Sequence, residues 1–292
     1  MKLVTFESAG SWRAGIVIDS SIFDVDALLN GDSARTAPSV RQLLAEYGGR
    51  LAELSARLIA AAKVNPKAVV GPVDKVRLGP PVTDPSKVLC IGLNYNDHVA
   101  ETGRALPSHP DIFAKFASSL IGPFDEISCS NVTPNLDFEG ELAIVIGKEC
   151  RSVSAEEALD FVAGVTVLND ITARDLQYRG TQWLAGKAVD GSTPVGPALV
   201  TLDEVGDIQN LDIRTRVNGE QVQSSNTHLM IFSVRHLVSY ISYFLALSPG
   251  DMITTGTPQG IGAKRQPPLW LKPGDTVEVE LQNVGVLRNV VG

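Results

Sequence analysis

Three carboxylates stand in the segment 135–147, which reads Asn-Leu-Asp-Phe-Glu-Gly-Glu-Leu-Ala-Ile-Val-Ile-Gly. The apolar run after Glu141 predicts a buried strand, and alternation along a strand places Glu139 and Glu141 on one face with Asp137 behind them. Neighbouring carboxylates repel one another, and a divalent cation with oxygen ligands removes that conflict. The pattern is therefore typical of a metal site, although a solvated acidic edge strand would fit the same spacing.

Two further segments carry polar residues at the ends of predicted strands. His98 and Glu101 follow the strand 88–91, and on a helical turn Glu101 could hold the imidazole in one tautomer. Asp170 follows the apolar strand 162–168, where a carboxylate could equally cap the next helix. Strand ends on a rigid sheet commonly carry active sites, so we expect these groups to contribute to one site.

Basic and amide side chains complete the set of candidate site residues. Lys115 lies between two phenylalanines, which indicate a cavity wall, although a strand lysine could simply extend to solvent. Lys187 lies in a loop of small residues, where a plain surface lysine is the alternative. Arg174 and Gln177 share one face of a predicted helix.

The first quarter of the chain predicts a small α+β unit. It comprises short strands within residues 1–25 and helices over residues 39–46 and 51–62, the first opening with a capping box. Prolines and glycines then cluster in a linker-like segment. We therefore expect a small N-terminal domain at residues 1–75 and a larger domain at residues 76–292.

The larger domain is predicted to be rich in strands. Its buried strands are expected at residues 88–91, 142–146 and 162–168. Asn218-Gly219 predicts a hairpin turn within residues 212–223, a capping box at Ser154 predicts a helix, and Ser233 caps the longest amphipathic helix. Strands outnumber helices and do not alternate with them, which indicates an α+β fold with mixed or antiparallel sheets.

Composition argues against several functional classes. The 292-residue chain has a net charge of −8, whereas nucleic-acid binding favours a basic surface. Hydrophobic residues make up 44%, yet no stretch is long and apolar enough for a membrane span, and the start lacks the apolar core of a signal peptide. The three cysteines form no C-x-x-C pair, so neither a disulfide framework nor a zinc site is expected. These features predict a cytoplasmic protein without nucleic-acid or membrane partners.

The candidate residues jointly match one known family. Over nearly all of residues 88–291 the chain resembles the fumarylacetoacetate hydrolase superfamily, in its acylpyruvase and 2-hydroxyhepta-2,4-diene-1,7-dioate isomerase-like branch. The matching segments are residues 92–101, 113–115, 137–141, 169–177, 186–187, 255–258 and 271–280.

The resemblance implies a rolled, mixed β-sandwich found in homodimers, here preceded by the small N-terminal α+β domain. It implies Mg²⁺ or Mn²⁺ held by Glu139, Glu141 and Asp170. It implies substrate contacts from Lys115, Arg174, Gln177 and Thr257, and catalytic roles for Lys187 and for His98 with Glu101 on a closing lid. Larger members nearest the namesake enzyme supply a fourth carboxylate from the His98 region, where this chain offers Asn94, Asn96 and Asp97.

The family leaves the reaction open, because its members hydrolyse, decarboxylate, isomerise or dehydrate 2-oxo acids. Their shared chemistry uses a metal chelated by a carboxylate and a 2-oxo group to stabilise an enolate. Since the His98–Glu101 pair could activate water, we favour C–C hydrolysis of an acylpyruvate-like 1,3-dioxo acid. The alternative is decarboxylation of an oxaloacetate-type acid, or keto–enol isomerisation of a hydroxymuconate type. A non-catalytic binder of acidic metabolites is a third interpretation, but binding alone needs no His–Glu pair on a lid.

Overall fold

The computed structural model describes residues 1–30 and 37–292, and within them it contains eighteen strands and eight α-helices. The strands are β1 (Lys2–Ser8), β2 (Ser11–Ile18), β3 (Ser21–Asp24), β4 (Val69–Pro72), β5 (Leu78–Gly79), β6 (Val88–Gly92), β7 (Asp111–Lys115), β8 (Leu120–Ile121), β9 (Leu136–Asp137), β10 (Gly140–Ile146), β11 (Val162–Asn169), β12 (Thr172–Ala173), β13 (Thr193–Thr201), β14 (Asp212–Val217), β15 (Glu220–Asn226), β16 (Met252–Thr254), β17 (Thr276–Leu281) and β18 (Gly285–Val290). The helices are α1 (Val25–Asn30), α2 (Val40–Tyr47), α3 (Leu51–Val64), α4 (Asn96–Thr102), α5 (Arg174–Gln177), α6 (Leu184–Lys187), α7 (Leu202–Val205) and α8 (Val234–Phe244).

Two sheets face each other. Twelve strands form a mixed sheet, whose main path runs β4-β3-β2-β1-β13-β11-β10-β16-β6-β7, with β5 on β1 and β8 on β13. Its pairs are antiparallel except β16 with β6 and β13 with β8. A four-stranded antiparallel sheet, β15-β14-β17-β18, packs against β10, β11 and β13. The α+β class with a mixed β-sandwich is confirmed.

Strand β10 lies at the centre of both core layers. Leu142, Ile144 and Ile146 pack towards the four-stranded sheet, while Ala143 and Val145 pack towards helices α2 and α3. Both faces of the strand are therefore buried, which explains a continuous apolar run rather than an alternating one. The carboxylates that flank the start of β10 are therefore held by a strand whose residues are all buried.

The N-terminal segment joins the main sheet. Strand β1 pairs with β13, with Leu3 opposite Leu199. One sheet therefore contains strands from both sides of the predicted domain boundary at residue 75. The capping box at Ser39 is confirmed, since its side chain accepts from the backbone of Gln42 and the Gln42 side chain accepts in return. The division into domains at residues 1–75 and 76–292 stays a prediction.

Local signals in the larger domain have mixed outcomes. The hairpin is confirmed, with Asn218 and Gly219 at φ of 51° and 83° between β14 and β15. Ser233 caps α8 by accepting from the backbone of His236. The helix predicted from Ser154 to about Phe161 forms in part: Ser154 Oγ accepts from the Glu157 backbone at 3.3 Å, but the helix that follows is a 3₁₀ helix limited to Ala158–Phe161.

The structure locates the cysteines and the apolar helices of the described residues. Cys90, Cys129 and Cys150 are all buried and unpaired. Within residues 1–30 and 37–292, no helix has the length and apolarity that a membrane crossing needs.

Candidate active site

Three carboxylates meet where β10 and β11 pair. Glu139 and Glu141 flank Gly140, which lies opposite Asn169, and Asp170 follows directly. One oxygen of each carboxylate lies within 4.8 Å of the other two, and all three side chains are buried. The structure therefore brings together the three residues that were predicted as metal ligands.

Two cations compensate part of this negative charge. Lys187 Nζ lies 2.8 Å from Glu139 Oε2 and 2.8 Å from Asp170 Oδ2. Arg174 donates from Nη2 to Glu139 Oε1 at 2.5 Å and from Nε to Asp137 Oδ2 at 2.8 Å. Burial alone would raise the pKa of Glu139, but Lys187 and Arg174 outweigh it and lower that pKa to about 2.

Glu141 is the least compensated of the three carboxylates, whereas Asp170 has both Lys115 and Lys187 at 2.8 Å. Glu141 Oε2 accepts from the Gly256 backbone at 2.9 Å, and burial, Asp170 and Glu139 together raise the pKa of Glu141 well above its usual range. Asp170 Oδ1 is buried without a hydrogen-bond donor among the described residues. Such oxygens are costly to bury, and a hard cation bound by all three carboxylates would compensate them. The donor set therefore fits a divalent cation such as Mg²⁺ or Mn²⁺.

Lys115 lies behind the carboxylates. Its Nζ is 2.8 Å from Asp170 Oδ1, but its three donors are directed to Thr193 Oγ1 and to the carbonyl oxygens of Ile171 and Lys187. This explains why Asp170 Oδ1 has a nearby cation and still lacks a hydrogen bond. Lys115 does not line the cavity in this conformation. Its contact with a substrate stays a prediction.

His98 and Glu101 form the expected pair on α4. His98 Nδ1 lies 3.1 Å from Glu101 Oε2, and Glu101 Oε1 accepts from the Gly260 backbone at 3.0 Å. His98 is only 6% exposed. Glu101 therefore both orients the imidazole and attaches α4 to the loop after β16. The helix ends at Gly103, whose φ of 70° suits glycine.

One cavity joins these groups. Six of the predicted site residues line it: His98, Glu139, Arg174, Gln177, Lys187 and Thr257. Glu101, Glu141, Asp170 and Lys115 are not among the residues that line it. Thr257 Oγ1 donates to the Gly140 carbonyl oxygen at 3.0 Å, which connects the cavity wall to β10.

A glycine allows Lys187 to reach the carboxylates. A Cβ on Gly186 would lie 2.5 Å from the Ala173 carbonyl oxygen and 2.5 Å from the Gln177 nitrogen. Helix α6 therefore packs directly on α5, which carries Arg174 and Gln177. This close approach brings the loop lysine of the sequence into a buried site.

Sequence reasoning missed several residues of the cavity wall, among them Trp183, Arg104 and Lys264. Trp183 packs edge-to-face on Phe113, with ring centroids 5.6 Å apart. Arg104 and Lys264 line the mouth of the cavity. These residues lie outside the strands that carry the carboxylates, and their charge or aromatic character was the only available signal.

Comparisons with known proteins identify a family and several relatives. The family model described as fumarylacetoacetate (FAA) hydrolase C-terminal matches residues 87–292. The chain is 45% identical over 258 residues to the human mitochondrial oxaloacetate tautomerase FAHD2A, covering 88% of this chain and 81% of that protein. It is 44% identical over 249 residues to a 2,4-didehydro-3-deoxy-L-rhamnonate hydrolase of Sphingomonas sp. (strain SKA58), covering 84% and 87%.

A solved structure extends the comparison to a metal complex. The maleylpyruvate hydrolase of Sphingobium sp. SYK-6, in complex with manganese (II) ion and pyruvate, is similar with a TM-score of 0.78 and 30% identity. The match covers 100% of this chain and 98% of that one.

Proposed function

Because the chain belongs to the fumarylacetoacetate hydrolase family, we propose that it catalyses the metal-dependent interconversion of the keto and enol forms of a 2-oxo acid. The observation that carries this proposal is one cavity lined by His98 together with Glu139, Arg174 and Lys187. That cavity places a candidate proton acceptor beside a buried, cation-rich carboxylate site.

The metal would supply Lewis acidity when bound. Held by Glu139, Glu141 and Asp170, a divalent cation would polarise the 2-oxo group of the substrate. The manganese and pyruvate of the maleylpyruvate hydrolase complex support a divalent metal in this fold.

Proton transfer is the role proposed for His98. Its Nδ1 is occupied by Glu101, which leaves Nε2 to take a proton from the carbon next to the 2-oxo group. The same proton, or one from solvent, then reaches the oxygen to give the enol. Lys187 and Arg174 contribute positive charge on the side of the cavity where negative charge develops.

The relatives change the order of the two candidate reactions. The sequence favoured C–C hydrolysis, with decarboxylation or keto–enol isomerisation as the alternative. The oxaloacetate tautomerase, at 45% identity, puts enolisation first. Hydrolysis stays the second candidate because a hydrolase relative is 44% identical and because His98 could equally deprotonate a water molecule.

Two histidine variants test the proposed role of His98. We expect His98→Ala to slow Mn²⁺-dependent enol–keto conversion of oxaloacetate by about 10²–10⁴-fold, since it removes a general base. His109→Ala is the matched control, because His109 lies exposed on the same segment and outside the cavity. Equal rates for the two variants would contradict the role of His98.

A substrate pair separates the two reactions. Wild-type protein should convert oxaloacetate between its enol and keto forms faster than it cleaves an acylpyruvate, when both are followed by ultraviolet absorbance with the same metal. Faster cleavage of the acylpyruvate would replace enolisation by hydrolysis as the function.

A further inference from the structure

The mouth of the cavity carries two positive charges that the mechanism does not use. The chain has a net charge of −8, yet this cavity is lined by Arg104, Arg174, Lys187 and Lys264 against one carboxylate, Glu139. Arg174 and Lys187 are bound to buried carboxylates. Arg104 and Lys264 form no ion pair with any acidic side chain of the described residues.

Aromatic side chains lead from the buried site to Arg104. Lys187 Nζ lies 5.1 Å from the ring centroid of Phe113, and Phe113 packs against Trp183. The Arg104 guanidinium lies over Trp183 at 5.7 Å. A cation–π contact with an indole favours this position of the guanidinium beside the cavity.

Lys264 reaches the same mouth from a fixed turn. It ends the 3₁₀ helix Gly262–Lys264, whose Gly262 and Ala263 nitrogens donate to Asp137 at 2.7 and 3.0 Å. Asp137 in turn accepts from Arg174. The backbone that carries Lys264 is therefore tied to the carboxylate site, although its side chain is exposed.

We propose that Arg104 and Lys264 form a mouth subsite for a second carboxylate of the substrate, so that the enzyme selects 2-oxo dicarboxylates over 2-oxo monocarboxylates. The inference rests on the proposed function, because the 2-oxo acid end is assigned to the Glu139 side of the cavity. Two unpaired cations at the mouth of an otherwise acidic protein attract an anion and form charge-assisted hydrogen bonds with it. A methyl group at the same position has no charge to be attracted and forms no such hydrogen bond.

Matched ligands isolate the distal group. 2-Oxoglutarate and 2-oxovalerate have the same chain length and differ only in a terminal carboxylate or methyl. Oxaloacetate and 2-oxobutyrate form the same pair one methylene shorter. Calorimetric titration with Mn²⁺ gives Kd for the longer pair, and enolisation kinetics give KM for the shorter pair.

We expect the Arg104→Met/Lys264→Met double variant to weaken dicarboxylate binding by about tenfold and to leave monocarboxylate binding unchanged. Arg104→Lys should keep most of the preference. Arg151→Met and Lys272→Met are matched controls, because both residues are exposed and lie outside the cavity.

Three results would overturn the subsite. They are a wild-type protein without preference for dicarboxylates, a double variant with an unchanged preference, and an equal loss for both members of a pair. The test also separates this inference from the proposed function. Arg104-dependent binding of 2-oxoglutarate without any enolisation would reject the proposed reaction and keep the subsite. Equal turnover of oxaloacetate and 2-oxobutyrate would reject the subsite and keep the proposed reaction.

Discussion

Lys187 provides positive charge at the position where a metal would also act. Its ammonium contacts Glu139 and Asp170, two of the three proposed ligands, at 2.8 Å each. Burial would lower the pKa of Lys187, but Asp170 and Glu139 raise it above its usual range, so the side chain stays charged. The lysine and a divalent cation therefore compensate the same carboxylates.

This overlap predicts opposite effects of Lys187→Met on stability and on metal binding. Removing one partner of a buried ion pair costs about 3–5 kcal/mol, so the metal-free variant should unfold at a lower temperature. Without the competing ammonium, Mn²⁺ should raise its Tm by more than it raises the Tm of the wild type. Differential scanning calorimetry with and without Mn²⁺ measures both effects.

Lys148→Met is the control for lost packing. Lys148 also lies over a phenylalanine ring, with Nζ 4.9 Å from the centroid of Phe161, but it takes no part in the carboxylate site. The control should show the wild-type response to Mn²⁺. An identical Mn²⁺ shift in Lys187→Met and wild type would show that the lysine does not compete with a metal.

The position of the carboxylates could be predicted from the sequence, but the residues that surround them mostly could not. Glu139 and Glu141 could be paired because strand side chains have a fixed period of two. The environment of Lys115 depends on carbonyl groups from two distant loops, which no periodicity encodes. Arg104 and Lys264 come together only through the folded loops at the mouth.

At the scale of elements, Gly140 controls how closely the two sheets approach beside the site. A Cβ there would collide with Thr215 Oγ1 on β14 and would lie 2.9 Å from Val279 Cγ1 on β17. The Gly140 nitrogen donates to Gln223 Oε1 at 3.0 Å, and Gln223 donates to Thr257 at 2.8 Å. A glycine at this position therefore lets the four-stranded sheet pack closely against the segment that carries Glu139 and Glu141.

We predict that Gly140→Ala destabilises the protein by about 1–3 kcal/mol, the usual cost of overpacking, and also weakens Mn²⁺ binding. Urea unfolding and calorimetric titration measure the two effects. Gly180→Ala is the control, because a Cβ at Gly180 meets open space. If both variants were equally stable, the close approach of the sheets would not constrain the site.

Elements with strong local signals were predictable, and those set by distant partners were not. The Asn218-Gly219 hairpin and the Ser233 cap carry their geometry in neighbouring residues. The Ser154 signal has the same strength, yet the entry into β11 leaves space for only a 3₁₀ turn. Tertiary context decided between the two helix types.

At the scale of the whole molecule, the main sheet joins segments that are far apart in sequence. Pairing of β1 with β13 connects residues about two hundred positions apart, which the sequence pattern cannot reveal. The same sheet contains β10 and β11 as interior strands, so the acidic site is anchored inside the sheet and not at its edge. The homodimer implied by the resemblance stays a prediction that sedimentation would test.

Metal content tests the central claim of this account most directly. Wild-type protein and Glu141→Gln, loaded with Mn²⁺ and dialysed, would be compared by elemental analysis. Glu149→Gln serves as control, because Glu149 is an exposed carboxylate just beyond the other end of β10. We predict a bound manganese ion for each chain in the wild type and the control, and its loss in Glu141→Gln. A Glu141→Gln variant that keeps the wild-type manganese content would contradict the metal site.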